Sequence, residues 1–280
     1  MAANRQRLSV TEFDFDEVKD NLKLFMRNQT EFKDYDFEGS GLSALLDVLA
    51  YNTHYLGFNA NMLANEMFLD SSQLRSSVVS HAKTLGYTTR SATASNAVVD
   101  IFLNTTNASA TMPAGTVFSA SVGDESYQFV TISDVTSSNS GSNIVFDDVR
   151  IYEGSYVSSR YVADTQNVEQ RFLINDDRAD TTTLSVIVQN SATDTIQTTF
   201  TQATDISGLT STSNVYFIQE VEDGQYEIYF GDGILGSAIE DGNIIIMQYV
   251  VTNKGAANGA STFTSSTAID TVNSVNVVTV

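Results

Sequence analysis

The sequence predicts an α+β protein in which an N-terminal helical region precedes mainly antiparallel β domains. Apolar residues recur at helical spacing through the first 90 residues. After residue 90, serine, threonine, asparagine and glycine become common, and short runs alternate apolar with polar residues as half-exposed strands do. We therefore predict a helical assembly region at 1–90, a β domain at 91–175 and a second β domain at 176–280, which we expect to continue beyond the chain end.

The first predicted helix carries one apolar face. Ser9 or Thr11 could cap this helix, because each has an acidic residue three positions later. Charged residues separate the apolar positions, which is typical of an amphipathic helix. The apolar face consists of Phe15, Val18, Leu22 and Phe25.

The second predicted helix begins after Ser40 and is apolar around much of its circumference. Its apolar residues include Leu42, Leu45 and Leu49, which lie on overlapping faces. Such a helix is expected at the centre of a bundle or in an interface. We predict that the apolar stripes of these two helices face partner proteins. The alternative, an intramolecular core, stays open for each residue.

A third helix should open at Asp70 or Ser71. Gly86 is placed to be its left-handed C-cap, after which Tyr87 folds back on the last turn. The helical region therefore ends near residue 90.

The remaining sequence predicts a succession of short strands. The stretch 136–143, rich in serine and asparagine, is expected to be a solvated loop or a strand connection. The apolar end of the chain, 268–280, is expected either to continue further or to pair with another strand. The predicted strands are 98–103, 116–120, 127–132, 144–151, 171–174, 184–189, 196–201, 215–221, 225–230 and 243–251.

Composition excludes several classes of function. Residues 1–90 hold 9 basic and 12 acidic residues, whereas the rest holds 5 basic and 22 acidic residues. This acidic surface repels phosphate backbones and anionic lipid, so neither nucleic acid nor membrane is expected as a partner. The sequence has no cysteine, so thiolate metal sites and cysteine nucleophiles are excluded. No apolar leader is visible near the N-terminus, which favours synthesis in a reducing cytoplasm.

A glycine-rich segment resembles a nucleotide-binding fingerprint only by spacing. Gly231, Gly233 and Gly236 match G-x-G-x-x-G after a predicted strand. A dinucleotide site requires a helix at the third glycine, but another strand is predicted at 243–251. We therefore predict a structural hairpin turn, in which the glycines supply permissive backbone angles and Asp232 binds nearby amides.

No other pattern in the sequence predicts a catalytic or metal-binding site. His54 and His81 lie on different predicted helices without metal-ligand spacing. The acidic segment 34–39 resembles the start of a calcium loop, but Leu45 stands where the bidentate glutamate is required. We expect no catalytic residue, no metal site and no cofactor, so the protein is not expected to be an enzyme.

Several segments together resemble the N-terminal portion of the baseplate wedge proteins of T-even-like contractile-tail phages, which are related to the baseplate J-like family. The helical segments Asp34–Tyr55 and Asn65–Tyr87 are the most specific part of this resemblance. Met112–Phe118 is similar to the family's P-A-G-T turn, and Phe230–Gly236 to its F-G-D-G-x-x-G segment. A glycine-asparagine segment at Lys254–Gly259 also matches. The stretch from about 135 to 215 has no motif that can be matched residue by residue.

The resemblance implies a structural protein of the virion. Such proteins pair within each baseplate wedge and join neighbouring wedges into an inner ring around the tail tube. They bind another large wedge protein through a shared helical bundle, and they contact the subunit from which the sheath starts. The ring transmits the conformational change that triggers sheath contraction.

A second hypothesis is a glycan- or receptor-binding β protein at the tail tip. It requires an exposed aromatic platform, and the clustered candidates are Tyr152, Tyr156 and Tyr161. Their alternation fits ordinary strand packing equally well.

Overall fold

The computed structural model describes residues 14–27, 35–37, 39–139, 141, 143–167, 169–221, 224–265, 267–272 and 275–279. The chain divides into a helical unit that ends at Tyr87 and a β unit that begins at Thr88. The predicted α+β class is confirmed, because three helices precede a series of mostly antiparallel strands. The predicted caps Ser9 and Thr11 lie outside the described residues.

The helical unit contains α1 (Phe15–Arg27), α2 (Gly41–Glu66) and α3 (Arg75–Thr84). Ser40 caps α2, because its hydroxyl oxygen accepts a 3.0 Å hydrogen bond from the backbone N–H of Ser43. Lys19 of α1 forms a 2.6 Å ion pair with Asp47 of α2. The N-terminal part of α2 is therefore where α1 packs.

The third helix starts later than predicted, at Arg75 rather than at Asp70 or Ser71. The Ser71 hydroxyl instead donates to the carbonyl oxygen of Asn65, at 2.7 Å, and so closes the end of α2. Glu66 supplies the missing cap, because its carboxylate accepts hydrogen bonds from the two backbone N–H groups before α3. These bonds lower the pKa of Glu66 from its ordinary value.

The end of α3 is as predicted. Gly86 has a φ of +74°, which is the left-handed conformation that glycine adopts without strain. The N–H of Tyr87 then reaches back to the carbonyl oxygen of Ala82 at 3.0 Å, and the N–H of Gly86 to that of Lys83 at 2.9 Å. This is the hydrogen-bond pattern of a Schellman cap.

The β unit contains fifteen strands in the described part of the chain. They form a six-stranded sheet in the order β14-β3-β4-β6-β1-β15, a seven-stranded sheet in the order β7-β13-β9-β10-β11-β12-β8, and the pair β2-β5. Within the pairings, β10 and β11 are parallel and the others are antiparallel. The strands are β1 (Asn96–Asn104), β2 (Ser109–Met112), β3 (Val117–Val122), β4 (Glu125–Val130), β5 (Val135–Ser138), β6 (Asn143–Glu153), β7 (Ser155–Val162), β8 (Phe172–Ile174), β9 (Ala179–Gln189), β10 (Gln197–Gln202), β11 (Val215–Glu220), β12 (Tyr226–Phe230), β13 (Ile244–Val251), β14 (Phe263–Ser265) and β15 (Val275–Thr279).

Each large sheet has its own apolar core. In the six-stranded sheet, the Phe129 and Phe263 rings meet edge to face at 5.0 Å between centroids. In the seven-stranded sheet, Phe230 contacts the rings of Phe172 and Phe200 at 5.7 and 5.2 Å. Burial also raises the pKa of Tyr216 in this second core to about 12, because the phenolate would lose its hydration.

The two sheets meet where β6 ends and β7 begins. An added Cβ at Gly154 would lie 2.2 Å from the carbonyl oxygen of Val251, so only glycine fits this crossing. The buried carboxylate of Glu153 accepts hydrogen bonds from the Thr252 hydroxyl at 2.7 Å and the Asn253 N–H at 2.9 Å. The end of the first sheet is thereby tied to the segment that leaves the second.

The sheets divide the sequence differently from the predicted 91–175 and 176–280 domains. The 175/176 boundary passes through the seven-stranded sheet, since β8 pairs with β12. The sheets change over at Gly154, and β14 and β15 return to the first sheet. Pairing between strands far apart in the chain decides which sheet each strand joins, and composition does not indicate that pairing. The division into three regions stays a prediction. The pairing of the described strands favours a boundary between the two β regions at Gly154 rather than at 175/176.

Two segments outside the ten predicted strands also form strands. Within the predicted loop 136–143, residues up to Ser138 belong to β5, which pairs with β2. Near the chain end, the apolar segment that was expected to continue further or to pair with another strand forms β15, which pairs with β1 in antiparallel register. The polar, serine-rich sequence of β5 hides its pairing, because backbone hydrogen bonds to a neighbouring strand need no apolar side chains.

Candidate assembly surfaces

The residues of the first predicted stripe do not share one environment. Val18 is buried and therefore contributes to the core of the helical unit rather than to an exposed stripe. Phe15 and Leu22 are half-buried, whereas Phe25 is exposed. Helical spacing alone does not distinguish these residues. Their burial depends on which face of α1 is covered by α2.

The predicted residues of α2 are likewise divided. Leu42 is half-buried, while Leu45 and Leu49 are exposed. The inward face is narrow and carries mostly small side chains, at Ser43, Leu46, Ala50 and Gly57. Most of the apolar surface of α2 is therefore left uncovered within the helical unit.

A second stripe on α2, which the sequence reading missed, is more regular than the predicted one. Its members alternate three- and four-residue spacing, which is the heptad pattern of a coiled-coil seam. Each is between 43% and 64% exposed. This spacing is visible in the sequence, but other apolar residues of α2 between these positions make it hard to recognise. We name this stripe the α2 seam, and it consists of Val48, Tyr51, Tyr55, Phe58 and Met62.

The α2 seam ends at a groove. Phe58 and Met62 line a cavity of about 330 Å³ together with Leu74, which precedes α3. Tyr51 and Tyr55 contact each other along the seam, with ring centroids 5.5 Å apart. The groove therefore continues the seam towards α3, and its remaining lining residues are polar.

The glycine-rich segment is a folded loop and not the predicted hairpin. It follows β12, and the chain reaches β13 only at Ile244. In the sheet, β9, β10 and β11 lie between these two strands, so β12 and β13 do not pair. The chain therefore crosses the sheet between these strands, and on the way the N–H of Gly236 donates to the carbonyl oxygen of Thr210 at 3.1 Å. The described residues 231–251 contain no helix of the kind a dinucleotide site requires.

The four predicted turn residues do meet in this loop. The carboxylate of Asp232 accepts hydrogen bonds from the N–H groups of Ile234 at 2.9 Å and Leu235 at 3.0 Å. An added Cβ at Gly231 would lie 2.3 Å from the Leu235 carbonyl oxygen. Gly233 and Gly236 have φ values of +84° and +88°.

These contacts explain the residue types of the turn. The backbone hydrogen bonds hold the pKa of Asp232 below its ordinary value. Glycine is required at position 231 by close approach, and at 233 and 236 by positive φ. The function of these four residues as a structural turn stays a prediction.

An extended segment, Thr88–Ser95, connects the unit boundary to β1 and lies against the seven-stranded sheet. Near its start, the Thr89 hydroxyl donates to the buried carboxylate of Glu220. Near its end, the N–H of Ala94 donates to the buried carboxylate of Asp180 at 2.8 Å. We name this segment the connecting strap. Its other contacts include Tyr226, Thr181 and Glu153.

The tyrosines of the receptor-binding hypothesis do not share one exposed face. Tyr152 belongs to β6, in a different sheet from Tyr156 and Tyr161 of β7. The latter two are an odd number of residues apart, so they point to opposite faces of their strand. All three are half-buried, and the Tyr161 hydroxyl donates to the carbonyl oxygen of Leu173 at 2.7 Å.

Across the described residues, no group of three histidine or acidic side chains is placed to hold a metal ion. His81 contacts the carbonyl oxygen of Glu66 at 2.9 Å, so it connects α3 to α2. None of the described helices is both long and apolar enough to cross a membrane.

An acidic β unit and a helix that exposes an apolar heptad seam are typical of proteins that work in large assemblies. Comparison with known sequences specifies the class further. Residues 14–87 match the helical domain of gp6-like baseplate wedge proteins, and residues 160–261 match the third domain of bacteriophage baseplate wedge protein gp6. Baseplate wedge protein gp6 of Enterobacteria phage T4 is 32% identical over 285 residues, which cover 94% of this chain and 42% of the T4 protein.

The chain belongs to the family of phage baseplate wedge proteins. It spans less than half the length of its T4 relative. The resemblance inferred from the helical segments is thereby confirmed. Family membership supports a structural role in the tail baseplate of a virion.

Proposed function

We propose that this chain is a structural component of a contractile-tail phage baseplate wedge, which docks other wedge proteins through the α2 seam. The observation that carries the proposal is the exposure of five apolar side chains in heptad register on one helix. Exposed apolar stripes of this length are costly in water, and they are typical of surfaces that a partner covers. We propose no catalysis, in keeping with the similarity to a structural protein.

A helix is the partner that fits the seam best. Heptad spacing keeps apolar side chains facing a second helix along the whole contact. Seam residues run from Val48 to Met62, which is about 20 Å of helix at 1.5 Å per residue. The groove beside Leu74 extends this path. The partner we propose is a helix of another large wedge protein, or of a second copy, in a shared bundle.

The experiment places a charge in the middle of the seam. Phe58→Glu should abolish co-elution with the other purified wedge proteins in size-exclusion chromatography, because the glutamate would be buried unpaired. Asn52→Glu is the matched control, since Asn52 is also exposed on α2 but lies off the seam. Circular dichroism should show both variants folded. Normal co-elution of Phe58→Glu would remove the seam from the interface.

The position in the particle is a separate part of the proposal. We propose that copies pair within each wedge, join neighbouring wedges into an inner ring around the tail tube, and contact the sheath-initiating subunit. The ring would transmit the change that triggers sheath contraction. We further propose synthesis in the host cytoplasm before incorporation. Electron-microscopic maps of the tail before and after contraction test this, and density for this chain outside a ring around the tube would contradict it.

A further inference from the structure

A second exposed apolar surface lies on the β unit. The loop after β12 exposes 75% of Ile234 and 44% of Leu235. The loop between β10 and β11 exposes 61% of Ile206. We name these three residues the apolar tip. The family assignment and the α2 seam do not account for their exposure.

The two loops of the apolar tip are joined to each other. The N–H of Gly236 donates to the carbonyl oxygen of Thr210 at 3.1 Å, and the N–H of Ser237 donates to that of Ser213 at 2.8 Å. An added Cβ at Gly236 would also lie 2.9 Å from a methyl carbon of Val215. The two loops therefore contact each other directly.

Both loops are held in shape from within. Asp232 bonds to the N–H groups of the two exposed residues that follow it, Ile234 and Leu235. Asp205 bonds to the N–H and the hydroxyl of Ser207 at 2.8 and 2.7 Å, on either side of Ile206. A loop already fixed in one conformation loses little entropy on binding, so its exposed aliphatic side chains are suited to be anchors.

Carboxylates adjoin the exposed residues of the apolar tip, whereas Arg171, which lines the same cavity as Asp232, is paired with Glu227. The hydrogen bonds of Asp205 and Asp232 lower the pKa of both carboxyl groups, so both are ionised at neutral pH. Glu240 and Asp241 follow on the same loop. Residues 91–280 as a whole hold 5 basic and 22 acidic residues. A partner must therefore match aliphatic side chains at the centre and carboxylates around them.

We propose that the apolar tip docks into an apolar pocket on a different protein, whose rim carries lysine or arginine side chains. The β unit of a second copy is a poor candidate, because like charges would face each other across the contact. This inference rests on the proposed structural role, since it requires an assembly that contains such a protein. It adds a second contact surface, separate from the α2 seam.

A photo-crosslinking experiment tests the proposal in assembled tails. The complete protein carries p-benzoylphenylalanine in place of Ile234, and a control carries it in place of Ile196, which is 65% exposed on the loop before β10. The probe at 234 should give one adduct with a different protein, at a yield at least about tenfold above that at 196. Mass spectrometry should find lysine or arginine in the cross-linked peptide.

A second pair of variants keeps the test independent of the helical contact. Ile234→Asp should lower incorporation of that cross-linked partner into tails, while the protein still co-elutes with the wedge proteins that require the α2 seam. Ile196→Asp should leave both unchanged. An adduct with a second copy, a peptide without basic residues, or equal yields at 234 and 196 would overturn the proposal. Failure of Phe58→Glu to disrupt co-elution would instead count against the proposed function.

Discussion

The carboxylate of Asp180 accepts a 2.8 Å hydrogen bond from the backbone N–H of Ala94, although 86 residues separate them in sequence. Both residues are buried. The other carboxylate oxygen accepts from the N–H and the hydroxyl of Thr182, at 2.9 and 2.7 Å. Three donors thus compensate the desolvation of one charge, and the connecting strap is fixed to the second sheet before the chain enters the first.

Asp180→Ala should destabilise the β unit strongly. The substitution leaves the buried N–H of Ala94 without an acceptor, so we expect a loss of about 3 kcal/mol in the free energy of unfolding. Asp177→Ala is the control, because Asp177 is exposed in the same part of the chain. Urea titration followed by circular dichroism measures both. Equal midpoints for the two variants would show that the strap contact contributes little.

The glycine-rich loop gives a steric prediction. Gly231→Ala would bring its Cβ to 2.3 Å from the Leu235 carbonyl oxygen, so either the loop or the adjoining strand must shift. We expect a loss of about 3 kcal/mol. The Cβ of Gly242→Ala would lie in open space, and the only strain comes from the φ of +80°. This substitution should lower the free energy of unfolding by about 1 kcal/mol. Thermal unfolding compares them, and a larger effect at Gly242 would refute the close-approach explanation.

The same loop gives a prediction of pH dependence. The pKa of Asp232 lies below its ordinary value of 3.8, because the folded loop donates two N–H groups to the ionised carboxylate. Its contribution to stability is therefore fully present above pH 3.8 and is lost as the pH falls through the lower folded pKa. Nuclear magnetic resonance titration of the Asp232 carboxyl carbon should give a midpoint below 3.8. A midpoint at or above that value would contradict the hydrogen-bond geometry.

Two adjacent leucines of α2 should respond in opposite ways. Leu46 is buried and Leu45 is exposed. Leu46→Ala should lower the free energy of unfolding by about 3 kcal/mol because it opens a cavity. Leu45→Ala should change it by less than about 0.5 kcal/mol. Chemical denaturation of the isolated chain distinguishes them, and a large loss for Leu45→Ala would mean that α2 is covered within the chain.

Local patterns were sufficient for much of the fold. Helical spacing predicted three helices, and Gly86 marked the end of the last one, because a left-handed cap depends on the residue itself. The start of α3 was misplaced, because Glu66 caps it from the end of the preceding helix and the Ser71 hydroxyl is engaged elsewhere. Alternation of apolar and polar residues found ten of the strands but missed β2, β5, β7 and β14, whose pairing depends on distant partners.

By itself, the sequence determined the α+β class, the family resemblance and the requirement for glycine at the loop after β12. These follow from residue type and short-range spacing. The tertiary structure decided that this loop crosses the sheet, that β14 and β15 return to the first sheet, and that Val18 is buried while Leu45 is exposed. Each of these outcomes depends on contacts between residues far apart in the chain. Periodicity defines the faces of an element, but only packing decides which face is covered.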